Sequence, residues 1–101
     1  MINISIDVMN GRMNVSGHSG FANRGHDIVC AGVSSISFAL ISYACKHHNE
    51  SIQSINIDDG IANIVMMTDR TGYEEAFEMA RIGFELIKDK YPEFVSVEVI
   101  S

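Results

Sequence analysis

The opening residues, "MINISIDV", place Ile2, Ile4, Ile6 and Val8 at alternate positions, with Asn3, Ser5 and Asp7 between them. A period of two predicts a half-buried β-strand. Asn10-Gly11 follows, a dipeptide suited to a two-residue hairpin turn because both residues tolerate positive φ. Met13 and Val15 then resume the alternation in a second predicted strand, ending at Gly17. From about Ile28 to His47 the period changes. Val29, Val33, Ile36, Leu40 and Tyr43 step by three and four residues, which predicts a helix. Ala31, Phe38, Ala39, Ile41 and Ala44 make most of its other faces apolar, so this helix is expected to be covered on several sides.

The second half repeats the scheme. "SIQSINIDDGIANIVMMT" predicts strands over Ile52–Asp58 and Ile61–Thr68, turning at Asp59-Gly60. Thr71 and Glu74 have the spacing of a capping box. A helix from about Tyr73 to Lys90 would carry Phe77, Ala80, Phe84, Ile87 and Tyr91 on one stripe, and Arg81 can pair with Glu78 and Glu85 on its wet side. Pro92 stops it, and Val95, Val97 and Val99 predict a last strand. The order ββαββαβ describes a single α+β domain over residues 1–101, with two helices on a mostly antiparallel sheet. A single-layer sheet in so short and apolar a chain leaves a face or edge for another copy to cover, so a homodimer is expected.

Charge narrows the range of partners. The chain carries 7 basic and 13 acidic residues, a net charge of −6, which argues against binding nucleic acid through its phosphates. The amino terminus has no cationic run ahead of an apolar one, so no secretory signal is expected. Ile28–Cys45 is eighteen residues without a charge, but four serines and a glycine dilute it. A buried helix fits better than a membrane span, since the strands would otherwise have nothing to pack on. Both cysteines, Cys30 and Cys45, fall in this segment. On one helix they lie about 22 Å apart along the axis, too far for a disulfide, and free thiols fit a cytoplasmic protein.

The candidate chemistry lies in "GHSGFANRGHDIVCAG", residues 17–32. Asp27 is suited to cap the first helix, which makes Ile28 N1, Val29 N2 and Cys30 N3. A thiol in that turn lies beside unpaired amides at the positive end of the helix dipole, where its anionic form is favoured. The alternative is a small buried hydrophobe. A nucleophilic cysteine needs an imidazole, and on spacing alone either His18 or His26 can reach it. Asp27 serves as cap, as orienter of the imidazole, or as both; as a bare anion beside the sulfur it would oppose thiolate formation. Ser34, one turn beyond Cys30, either donates within the site or bonds back to a helix carbonyl. Gly17, Gly20 and Gly25 make the loop permissive, and Phe21 either closes over a bound peptide or anchors the loop to the core.

At these residues the chain resembles the ribosomal-processing cysteine protease family, Prp. The signature is Gly17-His18, a glycine-containing loop, then Gly25-His26-Asp27-Ile28-Val29-Cys30-Ala31. Ser19 is a small departure, standing where alanine is frequent. The resemblance implies a cytoplasmic, homodimeric endopeptidase without metal or other cofactor. It implies that His18 and Cys30 are catalytic, that Asp27 and Ser34 stand near the site, and that Phe21 belongs to a groove for apolar and aromatic residues. The implied substrate is the N-terminal extension of large-subunit ribosomal protein number twenty-seven. Two readings compete with it: a non-catalytic ribosome-assembly or peptide-binding module, and metal capture by His18, His26 and Cys30, whose spacing matches no zinc pattern.

Overall fold

A computed structural model describes residues 1–23, 26–68 and 71–100. Strands β1 (Ile2–Asp7) and β2 (Arg12–Ser16) precede helix α1 (Ile28–His47), and β3 (Ile52–Asp58) and β4 (Ile61–Met66) precede helix α2 (Glu74–Lys90) and β5 (Val95–Val99). The sheet order is β3-β4-β2-β1-β5, antiparallel throughout except for the β1–β5 pair. This is the α+β arrangement the alternation predicts.

Period-two patterning separates the faces of the sheet. Ile4 pairs with Val15 and Ile6 with Met13 across β1–β2, while Val15 pairs with Ala62 and Met13 with Ile64 across β2–β4. All six are buried. They form one apolar floor, on which α1 sets Val29, Val33, Leu40, Ile41 and Ala44 and α2 sets Phe77, Ala80 and Phe84. Asn3, Ser5, Asn14 and Asn63 fall on alternate positions and so on the opposite, polar face.

Three local expectations are corrected. The β1–β2 connection is a four-residue loop between paired Asp7 and Arg12, not a two-residue turn. Only Gly11 in it has positive φ, at 66°, whereas a two-residue type I′ turn needs positive φ at both central residues. The buried Asp7 carboxylate selects the longer loop by accepting bonds from the Asn10 amide at 3.0 Å and its Nδ2 at 2.8 Å. The start of α2 is not a Thr71 capping box, because Tyr73 is the N-cap and makes no side-chain capping bond; Glu74 instead accepts from the Gly72 amide at 2.9 Å. Finally, α1 is covered by the sheet and by α2 but leaves Ile28, Phe38 and Tyr43 exposed. It is long and apolar enough to cross a membrane, yet six of its side chains are buried in the fold.

On α2, Arg81 pairs with Glu78 and, at 3.1 Å, with Glu85. Strand β3 lies at the sheet edge, where Ile57 on the helix-side face is 51% exposed. No helix covers it there.

The β1–β2 loop yields a stability test. A Cβ on Gly11 would lie 2.5 Å from the Tyr73 ring and 2.7 Å from Met66 Cβ, at a φ disfavoured for L-residues. Gly11→Ala should therefore cost about 2–4 kcal/mol, read by urea unfolding as a lower midpoint at unchanged slope.

Candidate active site

Asp27 begins α1 with extended backbone, φ −86° and ψ 96°, and its Oδ1 accepts the Cys30 amide at 2.9 Å. The Ala31 amide donates to the Asp27 carbonyl at 3.0 Å, so the helix starts where capping chemistry places it. Cys30 is thus in the first turn. It is half-buried, next to the core residues Val29 and Val33.

The amide that reaches the sulfur is not one from the helix. Cys30's own N–H is held by Asp27 Oδ1, and it is the Ser19 N–H, from the loop eleven residues upstream, that donates to Cys30 Sγ at 3.4 Å. The Ser19 hydroxyl bonds Asp27 Oδ2 and also accepts the Phe21 amide at 3.1 Å. Ser19 is only 4% exposed. One residue therefore ties the histidine-bearing loop to both the cap and the sulfur. In the sequence Ser19 stands out only as a small departure from a frequent alanine.

The Asp27 carboxyl feels opposed influences. Desolvation is the largest and pushes it up; the Ser19 hydroxyl, the Cys30 amide and thiol and the Ala22 amide together pull harder, and hold it below the ordinary aspartate range. It is an anion at neutral pH, with both oxygens engaged.

His18 is positioned by the β3–β4 turn. Asp58 pairs with Ile61, leaving Asp59-Gly60 as a two-residue turn with Gly60 at φ 71°. The Gly17 amide donates to the Gly60 carbonyl at 2.8 Å, fixing the backbone just before the histidine. The His18 ring lies against Gly60, where an added Cβ would come within 3.0 Å of Nε2, and Nε2 stands 3.9 Å from the Asp59 carboxylate. Both side chains are about two-thirds exposed, at 65% and 68%, so this pairing is weak. It is Asp59, not Asp27, whose carboxylate lies beside the ring.

His18, Cys30 and Ser34 line the same two adjoining clefts. One, of about 230 Å³, runs between α1 and the β3–β4 turn, bounded by Phe38, Ile61 and Ala62. The other, of about 520 Å³, opens over the loop past Gly20, Ala22 and Asp27. Among the described residues no hydrogen bond joins the His18 ring to the sulfur. Such bonds often tighten only when substrate arrives.

The remaining sequence candidates separate clearly. His26 is exposed, donates its amide to the Asn23 carbonyl at 2.9 Å and lines neither cleft. Phe21 lines neither cleft and packs edge-on against Tyr91 and Phe94, with centroids 5.5 and 5.3 Å apart, which is the anchoring one of its two roles. Gly17 and Gly20 have positive φ; Gly25 lies outside the described residues. Cys45 is exposed near the far end of α1. Among the described residues no group of three or more His, Cys, Asp or Glu could hold a metal ion.

Comparison with known proteins adds to this geometry. Residues 1–96 match the family described as cysteine protease Prp. The ribosomal processing protease Prp from S. aureus, solved with a covalently linked product peptide, is 25% identical and superposes with a TM-score of 0.84 over 98% of this chain and 99% of that one. The same protease solved with a substrate peptide gives 25% identity and a TM-score of 0.75, with the same coverage. SMU.848 from Streptococcus mutans shares the fold, with a TM-score of 0.66 at 24% identity over 97% of this chain and 90% of that one. No curated relative matches in sequence.

The depressed Asp27 carboxyl sets the sign of an acid effect. Its bonds stabilise the fold fully above the ordinary aspartate range, and that contribution disappears as pH falls through its lowered value. Asp27→Asn should flatten the loss of stability below about pH 4, measured by denaturant unfolding from pH 2 to 6, while keeping a capping side chain.

Proposed function

The chain belongs to the cysteine protease Prp family, and on that premise we propose that it removes the N-terminal extension of large-subunit ribosomal protein number twenty-seven during ribosome maturation. The observation that carries this reading is that His18, from the loop, and Cys30, from the first turn of α1, line the same clefts. The ribosomal processing activity named for the S. aureus protein, with its two peptide complexes, supports it. The narrower cleft, bounded by Phe38, Ile61 and Ala62, offers apolar walls to an extended peptide.

The chemistry is acyl transfer. The Cys30 thiolate forms a C–S bond to the scissile carbonyl carbon as the C=O π electrons move onto oxygen. Cys30's amide is held by Asp27 Oδ1 and Ala31's by the Asp27 carbonyl. Stabilisation of the oxyanion then falls to the positive end of the helix. Collapse breaks the C–N bond, and the His18 imidazolium gives its proton to the leaving amine. His18 then takes a proton from water, which attacks the thioester and releases the acid and the thiolate. Asp27 and Ser34 support the site without exchanging protons.

The same reading makes the protein a cytoplasmic homodimer that does not contact nucleic acid directly. Its net charge of −6 would repel RNA. The exposed Ile28, Met79 and Leu86 supply apolar surface for a second copy.

Cys30→Ala and His18→Ala should each lower kcat/KM by at least about 10³-fold with an unchanged melting temperature. The assay is incubation with the organism's own ribosomal protein precursor, followed by mass measurement of both products. Cleavage of that precursor by the unaltered protein is the outcome expected. Retained turnover in either variant would remove that residue from the mechanism, and an intact precursor would remove the substrate.

A further inference from the structure

At the mouth of α1 a carboxylate and a reactive sulfur share one small space. Asp27 is held ionised by its bonds, and it caps the very residue whose side chain reacts as an anion. Two like charges that close oppose one another's ionisation. The Cys30 thiol itself bonds the Asp27 carboxylate, and Ser19 is the residue that contacts both groups. Its hydroxyl is on Asp27 Oδ2, its N–H is on Cys30 Sγ, and it is buried where water competes poorly for either group.

We propose that Ser19 is a positioning residue that lets the Asp27 carboxylate and the Cys30 thiolate coexist, its hydroxyl saturating the one while its amide is held on the other. The hydroxyl proton draws carboxylate charge away from the sulfur side of the pocket. The same bond pins the loop, so the Ser19 N–H dipole points at Sγ instead of sampling solvent. The Phe21 amide, donating to Ser19 Oγ, orients the hydroxyl so that its single proton goes to Asp27. The Gly17–Gly60 backbone bond anchors the other side of His18, so the loop is tied down on both flanks of the imidazole. Ser19 thereby acts on the reaction through the charge state of the sulfur and through the location of His18.

This inference rests on Cys30 being the nucleophile, and the test separates the two claims. Iodoacetamide alkylation of the intact protein, followed site by site by mass spectrometry from pH 5 to 9, reads the sulfur without any substrate. Cys45 on the same helix is the internal control. Unaltered Cys30 should be alkylated faster than Cys45 below pH 7. In Ser19→Ala the Cys30 profile should move to higher pH, with the rate at pH 6 falling about tenfold, the size of one hydrogen bond to a charged group, while Cys45 stays the same. In an Asp27→Asn background the added Ser19→Ala change should cost less than about threefold, since the charge that Ser19 offsets is gone.

A purely structural serine would instead change the melting temperature and leave the Cys30 profile in place, and that result overturns the proposal. Should Ser19→Ala fail to fold, Asp27→Asn alone decides: alkylation of Cys30 at pH 6 equal to or faster than in the unaltered protein supports it, and slower alkylation overturns it. Equal, slow alkylation of both cysteines in the unaltered protein would sink the nucleophile assignment and this inference together.

Discussion

A half-buried carboxylate beside a cysteine sulfur must have its charge compensated, and that requirement organises this end of the molecule. Asp27 meets it with both oxygens, one on the Cys30 amide and one on the Ser19 hydroxyl. The first bond starts α1 at the right residue and puts the thiol in its opening turn. The second brings the preceding loop down onto that turn, with His18 one residue before the contact. Helix capping, loop docking and the gathering of His18 and Cys30 at one corner are therefore not separate events. They share a carboxylate.

The rest of the fold supplies the walls. The apolar floor of β1, β2 and β4 fixes the height of α1 above the sheet, and the β3–β4 turn projects Asp59 and Gly60 to meet the loop from the other side. His18 is carried on this turn through a backbone bond and a ring resting on a residue without a Cβ. The cleft between α1 and the turn lies towards the β3 edge of the sheet and is open to an extended chain. The site is thus built where the core ends. Phe38, on the wall of the narrower cleft, is left exposed there.

Much of this is legible in the sequence. Alternating isoleucines in β1, the three-and-four spacing in α1 and the stripe of Phe77, Ala80 and Phe84 in α2 report directly which side of an element faces the core. Asp27 as cap and Cys30 as third helical residue followed from local chemistry alone. The choice of His18 over His26 rested on resemblance, and the geometry separates the two residues through contacts between Gly17 and Gly60, forty-three positions apart in the chain. The β1–β2 loop departs from its local signal for a related reason: Asn10-Gly11 reads as a tight turn until the buried Asp7 carboxylate claims two bonds from Asn10.

Ser19 shows where the boundary lies. In the sequence it is a small polar residue between two glycines' worth of flexible loop, a minor departure from a common alanine. In three dimensions it is buried in contact with both a carboxylate and a sulfur. Periodicity, capping preference and spacing operate over a few residues, so the chain by itself determined its strands, its helices and which thiol stands at a helix mouth. Which imidazole and which donors converge on that thiol is decided only when the sheet brings the loop, the β3–β4 turn and α1 to one corner, because those bonds join groups that no local rule connects.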